Sequence, residues 1–367
     1  MNLKLILSAQ IMFGRLQANL AQDRYLCNAK RLKLLTSFAY AKHLKRKSKL
    51  LYDLHDALLA KSGNDFWKSW HSKCGDNKAT PRQVNGVTND KIIVSNFAEH
   101  LNKCCSPNSG EQSDTISSKF ANLHQNYCGL SCTDEQVVDA ALVDKIIRSL
   151  KDGKAAGLDS LTAEHLKYSH PALATVLAKL FNIMLIFGCL PAAFRRSYTV
   201  PLPKGGHAIG KCLTVEDFRS ICISSVLSKI FEHCLLDLYA TFFTTSDNQF
   251  GFKKRLSCSN AIYSIRTVID RYIEGGSTVS LCALDLSKAF EQMNRHALLI
   301  KLMNRQVPIN LLEMIENWFD LSCTCIKWGA HVSNFIKRVY GVRQGGAMSL
   351  CLFAIFIDDI VTKLKSL

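Results

Sequence analysis

From Asp134 onward the apolar positions of this chain fall into regular periods, and the periods predict its elements. Ala140, Val143, Ile147 and Leu150 recur at helical spacing after Thr133-Asp134-Glu135-Gln136, a helix start with acids in its first turn. The glycine-bounded loop of residues 152–167 leads into a second helix, and residues 172–187 read as an apolar helix ended by Gly188 and Pro191. YTVPLPKGG (198–206) reads as a strand turned by prolines, with DFRSICISS (217–225) as its hairpin return. Ser228 to Phe243 is helical, and QFGFKKRLSCSNAI (249–262) is a glycine turn into another helix.

The stretch VSLCALDLSKAFEQMN (279–294) predicts a strand. With period two, Leu281, Ala283 and Asp285 share one face and Cys282, Leu284 and Leu286 the other. The strand breaks at Ser287-Lys288, and a helix follows with Ala297, Leu298, Ile300 and Leu302 toward a core. Pro308 opens a helix through Phe319. CTCIKW and NFIKRVYGV are short strands joined across Gly329, and GVRQGG (341–346) feeds a last helix. Phe353, Phe356, Ile360 and Leu364 make the apolar stripe of that helix. Asp358 lies some 140° from Phe353 at about 100° per residue, so Asp358-Asp359 reads as a solvated face.

Before residue 134 the pattern is looser. Residues 1–64 look helical and basic, followed by the aromatic DFWKSW (65–70). Polar, turn-rich linkers at 75–82 and 106–115 flank a helix from Ile92 to Leu101.

Charge changes the picture. The chain of 367 residues carries +16, from 46 basic and 30 acidic side chains, with 48% apolar residues and 21% charged. Such a chain folds, and its excess charge points to a polyanion, nucleic acid before an anionic membrane surface. Residues 1–60 hold eleven Lys/Arg against three Asp/Glu, a net of +8. Lys45, Arg46, Lys47 and Lys49 are the densest part, either a solvated helix face or a nucleic-acid-binding or nuclear-import segment. Fifteen cysteines at scattered apolar positions suit reduced thiols inside a cell. His100, Cys104, Cys105, His124, Cys128 and Cys132 twice show His-x-x-x-Cys spacing, but without a Cys-x-x-Cys pair they read as helix-face thiols rather than a zinc site. No apolar run reaches the roughly 18 residues that span a bilayer.

PLPKGG, DFRSI, SKIFE, QFGFKK, LCALDLSKAF and GVRQGGAMS occur in one order over residues 152–367. In that order and spacing the chain resembles the reverse transcriptases of non-long-terminal-repeat (LINE-like) retrotransposons. Each motif alone is weak, and a strand-end charge, a core phenylalanine or a glycine turn would explain any one of them. None of these explains the order.

The resemblance implies an α+β, right-hand polymerase fold of fingers and partial palm, preceded by a mainly helical, basic N-terminal extension. Residues 1–135 would be that extension and linker, similar to the connector between endonuclease and polymerase, residues 136–280 the fingers, and residues 281–367 an incomplete palm. It implies that Asp285 is the first carboxylate for two Mg2+ ions and that Phe290 packs under the incoming sugar. Lys204 and Arg219 resemble fingers residues that hold the triphosphate, and Gln344, Gly345 and Gly346 the loop at the template and nascent base pair. Partners would be an RNA template, a DNA primer and deoxynucleoside triphosphates, with no membrane; the cysteines suit an intracellular setting, which is nuclear if the basic segment serves in import. Ser220, Arg255, Glu291 and Leu350 depart from the usual Pro, Gly, Asp and Pro, as in a drifting copy.

The family's Tyr/Phe-Ala-Asp-Asp pair would follow Leu367, so the sequence is expected to be truncated before it and inactive alone. A non-catalytic nucleic-acid-binding remnant is the rival reading. A group II intron or telomerase-type relative is a further one, which SKIFE and QFGFKK fit less well.

Overall fold

The computed structural model describes residues 81–365, apart from residue 82 and the segments 107–110, 131–136, 205–211 and 254–255. The basic N-terminal stretch, with Lys45, Arg46, Lys47 and Lys49, and the DFWKSW segment lie outside the described residues. Pro81–Ala163 and Ala172–Leu367 belong to one compact unit, and Glu164–Pro171 to another.

The unit is built on a mixed sheet. Its strands are β1 (Arg196–Pro203), β2 (Phe218–Ser224), β3 (Cys323–Trp328), β4 (His331–Val332) and β5 (Ile336–Lys337), in the order β2-β1-β3-β4 with β5 also on β3. β1 and β2 are antiparallel, from Ser197 opposite Ser224 to Pro203 opposite Phe218, and β1 runs parallel to β3. Both prolines of β1 are tolerated because Leu202 and its neighbours keep the register on β2. One face of the sheet buries small polar side chains, and Thr199 and Thr324 satisfy each other across β1 and β3 at 2.8 Å.

Helix α1 (Asp90–Cys104) is capped by Asn89, whose side chain accepts from the Lys91 and Ile92 amides. It packs Phe97 against Phe218 and Trp328, with ring centroids 5.1 and 5.5 Å apart. This helix, expected within the N-terminal extension, is therefore part of the sheet's core. Helices α2 (Glu111–Gln125), α3 (Ala140–Ser149), the short α4 (Ala163–Lys167), α5 (Ala172–Phe187) and α6 (Ala192–Arg195) precede β1. Helices α7 (Val226–Leu238), α8 (Cys258–Glu274), α9 (Arg295–Asn304), α10 (Ile309–Asp320) and α11 (Ala347–Lys365) complete the unit. The helical core centres on Phe231 of α7, 5.0 Å from Phe181 of α5 and 6.1 Å from Trp318 of α10 between ring centroids. Burying an aromatic or aliphatic side chain of this size contributes about 1.5–3 kcal/mol.

Several expectations need correction. The segment 106–115, read as a linker, already contains the start of α2 at Glu111. The helix expected from Thr133 begins at Ala140, where Asp139 accepts from the Leu142 amide at 2.6 Å and caps it. Val279–Leu286 forms no strand: it is exposed along its length, Leu284 to 90%. A strand needs a ladder partner to be stable, and none pairs with it among the described residues.

The stripe on α11 is also different. Phe353 is buried and Phe356 partly so, but Ile360 and Leu364 are exposed and Asp358 is only 7% exposed. Apolar periodicity picks the wrong face when a buried position has a cation waiting for it.

Candidate nucleotide-binding site

The β1–β2 hairpin sets two cations side by side. Leu202 pairs with Arg219, and the Lys204 amide donates to the Asp217 carbonyl at 2.8 Å, continuing the ladder beyond Pro203. Residues two apart on a strand share a face, so Lys204 and Arg219 are diagonal neighbours on the face that Leu202 occupies. Both are exposed, and neither is consumed by an ion pair among the described residues.

The loop Gly341–Gly346 is strapped to this hairpin on one side and to the turn after Asp285 on the other. The Cys222 amide of β2 donates to the Gln344 carbonyl at 2.8 Å, and Val342 donates to the Phe290 carbonyl, also at 2.8 Å. Gly345 has φ +129°, and a Cβ there would run into the Cys222 carbonyl. Gly341, at φ +73°, likewise faces the carbonyls of Phe290 and Glu291. Only glycine fits these approaches. Gln344 is half-buried and Gly345 exposed, so the tip of the loop remains open.

Phe290 is half-buried in an aromatic triad. Its ring centroid lies 4.7 Å from Phe353 of α11 and 5.9 Å from Phe252 of the QFGFKK turn. Lys288, two residues earlier, reaches Glu216 beside β2 at 3.7 Å. Phe290 thus joins three of the ordered motifs.

A residue that sequence reasoning missed holds the loop from behind. Glu232, in the SKIFE motif on α7, is 1% exposed. Its carboxylate accepts from the Met348 amide at 2.9 Å and from Ser228 Oγ at 3.3 Å, and lies 3.5 Å from Arg343 Nη2. It therefore anchors the first turn of α11 and the arginine of GVRQGG together. The one sequence signal was an acid among apolar helix positions.

Asp285 stands apart from this order. It is exposed within the unpaired stretch Val279–Leu286. No group of three or more His, Cys, Asp or Glu that could hold a metal ion forms among the described residues. The neighbouring candidates are engaged elsewhere: Asp358 Oδ2 meets Arg305 at 3.1 Å, Asp358 Oδ1 accepts from the Ser246 amide at 2.8 Å, and Asp359 lies 2.9 Å from Lys301. A two-metal site needs several convergent carboxylate oxygens, so the residues described do not fit one. The same holds for zinc: Cys104 meets His100 at 3.5 Å along α1, while His124 lies 3.2 Å from Glu316.

Comparison with known proteins gives the site a context. Residues 202–367 match the family model described as reverse transcriptase (RNA-dependent DNA polymerase). The chain is 24% identical over 191 residues to the retrovirus-related Pol polyprotein from a type-2 retrotransposable element of Drosophila melanogaster, covering 52% of this chain and 18% of the relative. It is 25% identical over 219 residues to the Pol polyprotein from a type-1 retrotransposable element of Nasonia vitripennis, covering 57% and 20%. It is 23% identical over 225 residues to the RNA-directed DNA polymerase from the mobile element jockey of Drosophila melanogaster, covering 60% and 24%. The chain thus spans a quarter or less of the length of these relatives. Among the described residues no helix is long and apolar enough to cross a membrane.

Proposed function

We propose that residues 202–367, which match the reverse transcriptase family model, are a reverse transcriptase domain of the non-long-terminal-repeat retrotransposon kind and form the nucleotide-facing and template-facing part of an RNA-directed DNA polymerase. Lys204 and Arg219 hold the triphosphate of an incoming deoxynucleotide, Phe290 lies under its sugar, and Gln344 and Gly345 face the template and the new base pair, while Gly346 is buried behind them toward Ser349 and Glu232. Asp285 would be the first of the carboxylates for the divalent metal ions, Mg2+ in this reading, whose further ligands are not among the described residues. The observation that carries the proposal is the bond from the Cys222 amide to the Gln344 carbonyl, which ties the glycine loop to the strand bearing Arg219.

These residues have the chemistry the role needs. Phosphoryl transfer rests on positioning and charge neutralisation, which exposed cations and a backbone able to approach a base pair supply. The hairpin holds the two cations on one face, and the absent Cβ at Gly345 lets the loop tip lie flat against the strand.

The second reading, binding without catalysis, is favoured by the exposed, solitary setting of Asp285. We infer that this chain alone binds an RNA template with a DNA primer but does not extend it. With purified protein, primer extension should give no product with Mg2+ or Mn2+, while a labelled RNA–DNA primer–template is bound. Extension that Asp285→Asn abolishes would overturn the inactivity, and failure to bind any template would overturn the family role.

A further inference from the structure

Behind the loop Gly341–Gly346 the protein buries more positive than negative charge. Arg295, Arg338 and Arg343 are 7%, 2% and 8% exposed; among the described residues the fully buried carboxylate beside them is Glu232, with the half-buried Glu291 near Arg338. Arg295 is anchored by the carbonyls of Gly341, Phe319 and Arg338 at 2.9, 2.7 and 2.6 Å, and by Ser322 Oγ at 3.2 Å. Arg343 donates to the Phe194 carbonyl at 3.1 Å and lies over the Trp318 ring. Arg338 reaches the Cys222 thiol at 3.2 Å, and its Nε has no partner among the described residues. Neutral carbonyls and thiols satisfy hydrogen bonds but leave the net charge standing.

A cavity of about 20 Å³ opens among these groups, lined by Arg295, Arg343, Glu232, Trp318, Ser322 and Ser349. That volume takes one small species, a water molecule or a monatomic ion. Trp318 is 3% exposed, and its indole Nε1–H finds no acceptor among the described residues. A buried N–H of this kind demands one. Two guanidiniums and one carboxylate line the space, with Arg338 behind, so the preferred acceptor carries negative charge. We propose that this cavity is a chloride site, in which a monatomic anion accepts from Trp318 Nε1–H and offsets the paired charges of Arg295 and Arg343.

The electrostatics of Arg295 and Arg343 agree, whereas Arg338, although buried, is held up by Cys222, Cys105 and Glu291. Burial, then Arg338, pushes the Arg295 guanidinium down to about 9. Burial also lowers Arg343, with Glu232 opposing and Arg338 assisting. Among the groups that face the pair, Glu232 and the more distant Asp320 are the opposing acids, and Glu232 is already committed to Met348, Ser228 and Arg343.

The test uses the full chain at constant ionic strength. Replacing gluconate by chloride should raise the melting temperature by about 2 °C or more. Bromide should do the same, and 35Cl NMR should show exchange broadening that bromide reverses. Trp318→Phe keeps the ring stack but removes the N–H, and should abolish both the halide-specific stabilisation and most of the broadening. Identical melting in gluconate and chloride with no broadening would mean a water only, and would overturn the site. Halide effects that survive Trp318→Phe would place the ion elsewhere and overturn it too. No polymerase activity enters either readout.

Discussion

Arg305 and Asp358 meet at 3.1 Å, 53 residues apart in sequence, and stitch the end of α9 to α11. Arg305 also donates to the carbonyls of Phe242 and Thr244, and Asp358 accepts from the Ser246 amide, so the pair closes the segment between them as well. Removing the charge leaves Arg305 without its counter-ion in a partly buried setting. Asp358→Asn should therefore lower stability by about 1–3 kcal/mol in urea unfolding. Asp359→Asn, which breaks a more exposed pair with Lys301, should cost under about 1 kcal/mol. Equal effects from the two changes would contradict the burial difference on which this rests.

Gly345 gives a second expectation. An alanine there meets both a left-handed backbone and the Cys222 carbonyl. Gly345→Ala should break the Cys222–Gln344 bond, cost about 2 kcal/mol or more, and speed amide exchange at Cys222. Unchanged protection at Cys222 would show that the loop is not strapped to β2.

His296 sets a pH dependence. It stacks on Phe120 at 4.8 Å and lies 2.9 Å from Ser117 Oγ, and burial, opposed by Asp320, holds its pKa below 6.5. In the window just below 6.5 the unfolded chain binds the proton and the folded chain does not, so stability falls as pH falls. The stability from neutral His296 is complete above 6.5 and is lost as pH drops toward the folded value. Melting at pH 7.5 and pH 5.5 should differ less in His296→Phe than in the parent, and an equal difference would assign the acid sensitivity to other groups.

The basic stretch can be tested without a structure. If residues 1–60 bind nucleic acid through their +8 charge, log affinity should fall linearly with log salt. Replacing Lys45, Arg46, Lys47 and Lys49 by Gln should flatten that slope by about 3 units. Salt-insensitive binding would leave packing or import as the role of the segment.

Local pattern made much of the fold legible. The proline-turned hairpin, the apolar helix before Gly188 and the helix opened by Pro308 were each encoded within a dozen residues, by side chains whose preferences needed no distant partner. What depended on a partner did not show. Asp358 reads as a solvent residue until Arg305 is placed beside it, and Glu232 as an odd acid until the α11 terminus meets it. The three buried arginines carry no apolar period at all. Val279–Leu286 failed in the opposite sense: alternation marks what can pair, but pairing needs a second strand. In the candidate site, the motifs announced the loop and the hairpin, while the bond that joins them is a backbone contact that no side chain encodes.

The exposure of Val279–Leu286 has a colloidal consequence. A run of Leu281, Leu284 and Leu286 with an open backbone edge and a single acid can recruit the same run from another molecule. Mutual repulsion between chains of net charge +16 opposes that encounter. Added salt shortens the reach of that repulsion to about 10 Å at 0.1 M. Added salt therefore favours the self-association that this charge opposes.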